Sequence, residues 1–103
     1  MFREAVSYID NHYMERLQLN SMAKLAAMSP TYFSYMFKVL KGLTFVQYVN
    51  GLRIKRALNL LRLTDKSVYE IAFESGFNNI SHFNRIFKRE TGMSPNKYRV
   101  RTR

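Results

Sequence analysis

Ser81, His82 and Arg85 stand close together at helical spacing, and Lys88 and Arg89 continue the run one turn later. These residue types make a positively charged, hydrogen-bonding stripe rather than a reaction centre. An arginine so placed can pair through two bonds with O6 and N7 of guanine, worth about 1–3 kcal/mol of discrimination against other bases. His82 has three open roles: a contact to a base, a contact to a phosphate, or plain cover for the helix surface. Lys88 and Arg89 suit phosphate, although cations near a helix C-terminus also answer the helix dipole. Catalysis fails on inventory. With no cysteine and only His12 and His82 there is no zinc site of ordinary composition. Four scattered glycines form no phosphate-cradling loop, and no nucleophile is accompanied by a base. No enzyme activity, metal or cofactor is expected.

The elements that must position this stripe can be read around it. Ile80, Phe83, Ile86 and Phe87 share one face, the spacing of a core-facing helix over about 80–91. Asn78-Asn79 offers a short side-chain oxygen to the amides left unpaired at its start. Gly76-Phe77 breaks the short amphipathic run that ends at Ile71-Ala72. Two short helices joined by a glycine-containing turn, the second polar and basic outside, describe a helix-turn-helix.

Taken in order, Phe2, Ala5, Val6, Ile9 and Tyr13 predict a first helix from about residue 2 to 14, a brace across the first helix-turn-helix. Leu19, Met22, Ala23 and Ala26 form a brief second helix. Ala27-Met28 makes a turn, and Ser29-Pro30 opens a third helix with a capping hydroxyl and a proline at the first helical position. That helix is expected to bury Phe33, Met36, Phe37 and Leu40 and to stop at Gly42. Thr44 with Gln47 is a candidate capping box for a long helix to Leu63, and Ser67 with Glu70 a second box opening the fifth helix. Within the long helix, Phe45, Val49, Leu52, Ile54, Ala57, Leu58 and Leu61 read as core. Gly92 ends the sixth helix, Ser94-Pro95 starts a last short one, and the tail 100–103 is expected to fray.

The two halves repeat. Met22, Ala23, Ala27 and Met28 match Ile71, Ala72, Gly76 and Phe77 at an offset of 49. Phe33, Phe37, Lys38, Gly42, Thr44 and Tyr48 match Phe83, Phe87, Lys88, Gly92, Ser94 and Tyr98 at an offset of 50. One residue inserted in the second turn accounts for the difference. The long helix joins the copies, and about 20 residues at ~1.5 Å each give roughly 30 Å. That approaches the ~34 Å turn of B-DNA, so two reading helices can address successive major grooves.

The run I-A-x-x-x-G-F-x-x-x-S-x-F-x-R-x-F-K-x-x-x-G-x-S-P-x-x-Y-R from Ile71 to Arg99 resembles the second helix-turn-helix of the AraC/XylS family of bacterial transcription regulators. The likeness extends back to about Phe2. It implies an all-α domain of seven helices: a first helix-turn-helix subdomain over about 1–43, a linker helix over 44–63 and a second subdomain over 64–99. It implies sequence-specific binding of double-stranded promoter DNA, most often for activation, with RNA polymerase as a partner. It also implies that Thr31, Ser34 and Tyr35 face the groove as Ser81, His82 and Arg85 do, although Tyr35 has packing open to it instead. Lys38, Lys41, Lys88 and Arg89 are expected on phosphate, with Ser29 and Asn79 at the two helix starts; Tyr32 suits phosphate or packing. The related architecture fused to DNA-repair chemistry needs reactive cysteines, which this sequence lacks. The chain is expected either to be the output half of a larger regulator with an N-terminal sensor, receiver or dimerisation domain, which is the favoured reading, or to work alone as small family members do.

Four positions depart from the family pattern. Ala27 stands where glycine is usual, which is harmless only if its φ is negative. Gln18 leaves the second helix without a hydroxyl cap. Tyr35 replaces an arginine, and a phenol cannot make the two-bond contact to guanine, so the second motif should specify sequence more sharply than the first. Gly51 costs roughly 1 kcal/mol inside a helix, and close backbone packing is the reason expected for it. On the linker, Arg53, Lys55, Arg56 and Arg62 occupy several faces, with Arg53 a candidate brace against a motif.

Composition agrees. The 103 residues carry 47% hydrophobic and 15% aromatic side chains, enough for a core. The net charge of +10 is lopsided: residues 1–51 hold five basic and three acidic residues, residues 52–103 twelve and four. This points to a polyanion or an anionic membrane surface. No apolar run approaches a membrane span of ~20 residues and the N-terminus is no signal peptide, so a cytoplasmic location is expected. Two rivals remain: a basic helical protein–protein interaction module without specific DNA readout, and a membrane-surface binder. Both are disfavoured by exposed faces that mix small polar and basic groups instead of offering an apolar patch.

Overall fold

The computed structural model describes residues 1–103 as seven helices without strands. They are α1 (Phe2–His12), α2 (Leu19–Leu25), α3 (Pro30–Lys41), α4 (Phe45–Leu63), α5 (Val68–Glu74), α6 (Ile80–Thr91) and α7 (Pro95–Thr102). The chain divides into two compact units, Met1–Val49 and Asn50–Arg103, with the division falling inside α4.

In the first unit α2 packs on both α1 and α3. Its centre is aromatic: Phe33 and Phe37 are fully buried, their rings 5.7 Å apart, and Phe45 meets Phe37 edge-on at 6.0 Å. Ala5, Ile9, Met22 and Ala23 close the core around them. Ser29 caps α3 by accepting from the Tyr32 amide at 3.2 Å, and Gly42 ends it in the left-handed region. The Thr44–Gln47 box forms with both of its bonds, at 3.0 and 3.1 Å. Gln18 gives α2 no side-chain cap. At the start of α4, the Tyr48 phenol donates to Asp10 Oδ1 at 2.6 Å and ties α1 down. Burial, the hydrogen bond to Asp10 and the charge of that carboxylate together push the phenol up to about 12.

In the second unit Ile54, Ala57 and Leu61 of α4 share a core with Ile71, Ala72, Phe77, Phe83 and Phe87. Leu52 and Leu58, expected as core, are only half-buried. Ser67 and Glu70 complete their capping box. Asn79 caps α6 by accepting from the His82 amide at 2.8 Å, and Ser94 caps α7. The end of α4 is held from far along the chain. The Arg99 guanidinium donates to the carbonyls of Leu61, Thr64 and Lys66, at 3.1, 3.2 and 2.7 Å, serving acceptors at the helix end and in the loop that follows it.

Several expectations are corrected. The tail does not fray: α7 runs to Thr102, and Arg103 pairs with Asp65 at 2.9 Å and donates to the Thr64 carbonyl. Leu40 shares the face of Phe33 and Phe37 but lies at the helix end, where it is 55% exposed. Gly51 has no crowded neighbour, since a Cβ there would meet nothing within 4 Å. Ala27 has φ +56°, so the condition that would make it harmless is not met.

The repeat is visible in these turns. In the first, the Met28 amide donates to the Ala23 carbonyl and the Ala27 amide to Lys24. In the second, Phe77 donates to Ala72 and Gly76 to Phe73. Both are the paired bonds of a Schellman helix end, whose pivot residue must be left-handed. Gly76 meets that demand without a Cβ; Ala27 meets it with one.

Candidate nucleic-acid interface

In the second unit, Asn79 and the turn before it fix the start of α6. The core takes Phe83, Ile86 and Phe87, which leaves Ser81, Arg85, Lys88 and Arg89 exposed on the outer side. The Ile80 and Ser81 amides precede the first intrahelical bond of α6, from Phe83 to Asn79 O, and so point out of the helix start. The side-chain oxygen of Asn79 is committed to its cap, so what that side chain can still offer is its amide nitrogen, a donor.

His82 is half-buried, its ring set edge-on against Phe77 at 5.6 Å. Burial first, then the charges of Arg85, Arg53 and Arg89, push its pKa below the usual histidine value, so at neutral pH it is an uncharged imidazole with one donor and one acceptor. Arg53, from α4, lays its guanidinium over the Phe77 ring at 5.8 Å, and burial lowers its pKa. Arg53 and His82 thus both meet the Phe77 ring, one over its face and one edge-on, close to Arg85. The brace expected of Arg53 is thus made against the second motif, on the ring of Phe77, while the place of His82 against the same ring was not foreseen.

In the first unit, Phe33 and Phe37 take α3 into the core and leave Thr31, Ser34, Tyr35 and Lys38 exposed. The packing alternative for Tyr35 is not adopted, as it is 63% exposed. Tyr32 is exposed beside it, the two rings 6.4 Å apart. Ser29 spends its hydroxyl oxygen on the Tyr32 amide, and Pro30 has no amide hydrogen, so α3 offers fewer first-turn donors than α6. Lys41 lies over the Tyr48 ring at 5.6 Å. No group of histidine, aspartate and glutamate side chains could hold a metal ion, and no helix is long and apolar enough to cross a membrane.

Each unit thus carries a helix-turn-helix motif whose second helix is open on its outer side, polar and basic on α6 and mixed on α3, where Tyr35 and Val39 are exposed beside Ser34 and Lys38. A model of a helix-turn-helix domain matches residues 22–101. The chain belongs to the AraC/XylS family of transcription regulators. It is 36% identical over 92 residues to the bifunctional transcriptional activator and DNA-repair enzyme AdaA of Bacillus subtilis, covering 89% of this chain and 44% of that protein. Among solved structures, the C-terminal domain of the response regulator AraT of Geobacillus stearothermophilus superposes with a TM-score of 0.90 at 37% identity, over 99% of this chain and 84% of that one. The DNA-binding domain of the global transcriptional factor AdpA, solved with a target DNA, superposes with a TM-score of 0.91 at 31% identity, over 97% and 90% of the two chains. The chain spans less than half the length of the curated relatives it matches.

Proposed function

We propose that this chain binds promoter DNA sequence-specifically and thereby activates transcription in concert with RNA polymerase, as part of a larger regulator. The carrying observation is the repeated motif whose second helix is capped, core-anchored on one face and open on the other. In this reading α6 enters a major groove with Ser81, His82 and Arg85 toward the base edges, while Lys88, Arg89 and Asn79 meet phosphates. The α3 helix presents Thr31, Ser34 and Tyr35 to bases, with Lys38, Lys41, Ser29 and Tyr32 toward the backbone. The neutral state of His82 suits base contact, because an uncharged imidazole can accept as well as donate. The repeat of the motif within one chain supports a site of two blocks, in this proposal about one helical turn apart.

Titrating short duplexes at several salt concentrations tests this. Binding through phosphates makes log K fall linearly with log salt, steeply when several cations are engaged. A flat response, or equal affinity for every duplex sequence, would overturn the proposal in favour of an interaction module without DNA readout.

A further inference from the structure

The two motifs match in pattern but not in chemistry. Along the outer side of α6 the positions i, i+4 and i+8 are Ser81, Arg85 and Arg89. Their counterparts on α3, fifty residues earlier, are Thr31, Tyr35 and Val39. Each carries a methyl group or an aromatic ring, and all three are exposed, Tyr35 at 63% and Val39 at 57%. None is folded back into the core, which Phe33 and Phe37 already fill. Lys38 is exposed on the same helix. A stripe that exposes methyl and ring carbons beside a cation, and starts in the first turn of a capped helix, suits a surface that is anionic at its edges and offers an apolar group among polar ones within.

The major groove has one such feature. Of the four bases, only thymine puts a methyl group there, and small apolar or aromatic side chains are its natural contacts. Resting on the DNA-binding reading above, we infer that the first motif reads thymine by its 5-methyl group through Thr31, Tyr35 and Val39, with Tyr35 the principal determinant. The second motif reads guanine through Arg85. The target site is then chemically asymmetric, thymine-bearing in the block under α3 and guanine-bearing in the block under α6. The aromatic neighbour of Tyr35, Tyr32, lies beside it with ring centroids 6.4 Å apart.

The test replaces each thymine of a selected high-affinity duplex by deoxyuridine, which removes only the methyl. At one or two positions of a single block, affinity should fall about fourfold per methyl, the worth of one buried carbon. Tyr35→Ala should bind thymine and uracil duplexes equally at those positions, Tyr35→Phe should keep the discrimination, and Arg85→Ala should keep it too. Tyr35 makes no core contact, so these variants fold. If the wild type binds every uracil duplex as tightly as its parent, or if Tyr35→Ala still discriminates, the methyl-reading assignment is wrong while sequence-specific binding stands. If no duplex is preferred at any salt concentration, it is the DNA-binding reading that fails.

Discussion

Ala27 is the one non-glycine residue with positive φ, at +56°, and it occupies the pivot of the first turn. Replacing it by glycine should stabilise the first unit. For an L-residue the left-handed region brings Cβ against the following carbonyl, at roughly 1–2 kcal/mol. Glycine removes that contact but loosens the unfolded chain by about 0.4–1 kcal/mol. Both turn bonds, from Met28 to Ala23 and from Ala27 to Lys24, are already formed, and the Ala27 side chain is exposed. No packing is therefore lost, and the net gain should be about 1 kcal/mol. Native-state hydrogen exchange at the Phe33 and Phe37 amides, which sit in the core of that unit, reads the change directly. The mirror substitution, Gly76→Ala, should destabilise the second unit by about 1 kcal/mol or more, because its φ is +109°. Faster exchange at Phe33 and Phe37 in Ala27→Gly would refute the strain argument, and so would a neutral Gly76→Ala.

Arg85→Ala should weaken binding to the preferred duplex by about 1–3 kcal/mol and relax preference at one base pair, whereas Lys38→Ala should weaken all duplexes alike and lower the salt slope by about one; fluorescence anisotropy on single-base variants separates the two patterns. Arg99→Ala removes three bonds to the carbonyls of Leu61, Thr64 and Lys66 and should destabilise the second unit by about 2 kcal/mol in urea melts; unchanged stability would show that solvent serves those carbonyls equally well. His82 has a depressed pKa when folded, so the stability contributed by its neutral form is complete above its ordinary value of about 6.5 and is lost as pH falls through the folded value. The second unit should therefore melt earlier on acidification, and His82→Gln should reduce that dependence; an unaltered pH profile would contradict it.

What was legible in the sequence was local chemistry. Ser29, Asn79, Ser67 with Glu70, and Thr44 with Gln47 cap their helices as read, because a cap needs only a side chain and an amide a few residues on. Matching Phe33 to Phe83 and Phe37 to Phe87 located both cores for the same reason. What failed depended on distant parts of the chain. Periodicity puts Leu40 on the core face but does not say whether anything covers the helix end. The tail has little amphipathic pattern and is held by Arg99 and Arg103 reaching to residues more than thirty positions away, a pairing no spacing rule foresees. The sign of φ at Ala27 comes from the need to join α2 to α3, which overrides the residue's own preference. The brace expected of Arg53 is made, but which ring it would meet, that of Phe77, was not legible in the sequence.

Selecting bound duplexes from a random pool tests the central proposal most directly. A single enriched site should emerge, with two conserved blocks about one helical turn, ~10 base pairs, apart. Variation in the wild-type pool should be most restricted at the base pair that Arg85→Ala relaxes. A pool that remains random after repeated rounds, or an enriched site of one block that Arg85→Ala selects unchanged, would contradict it.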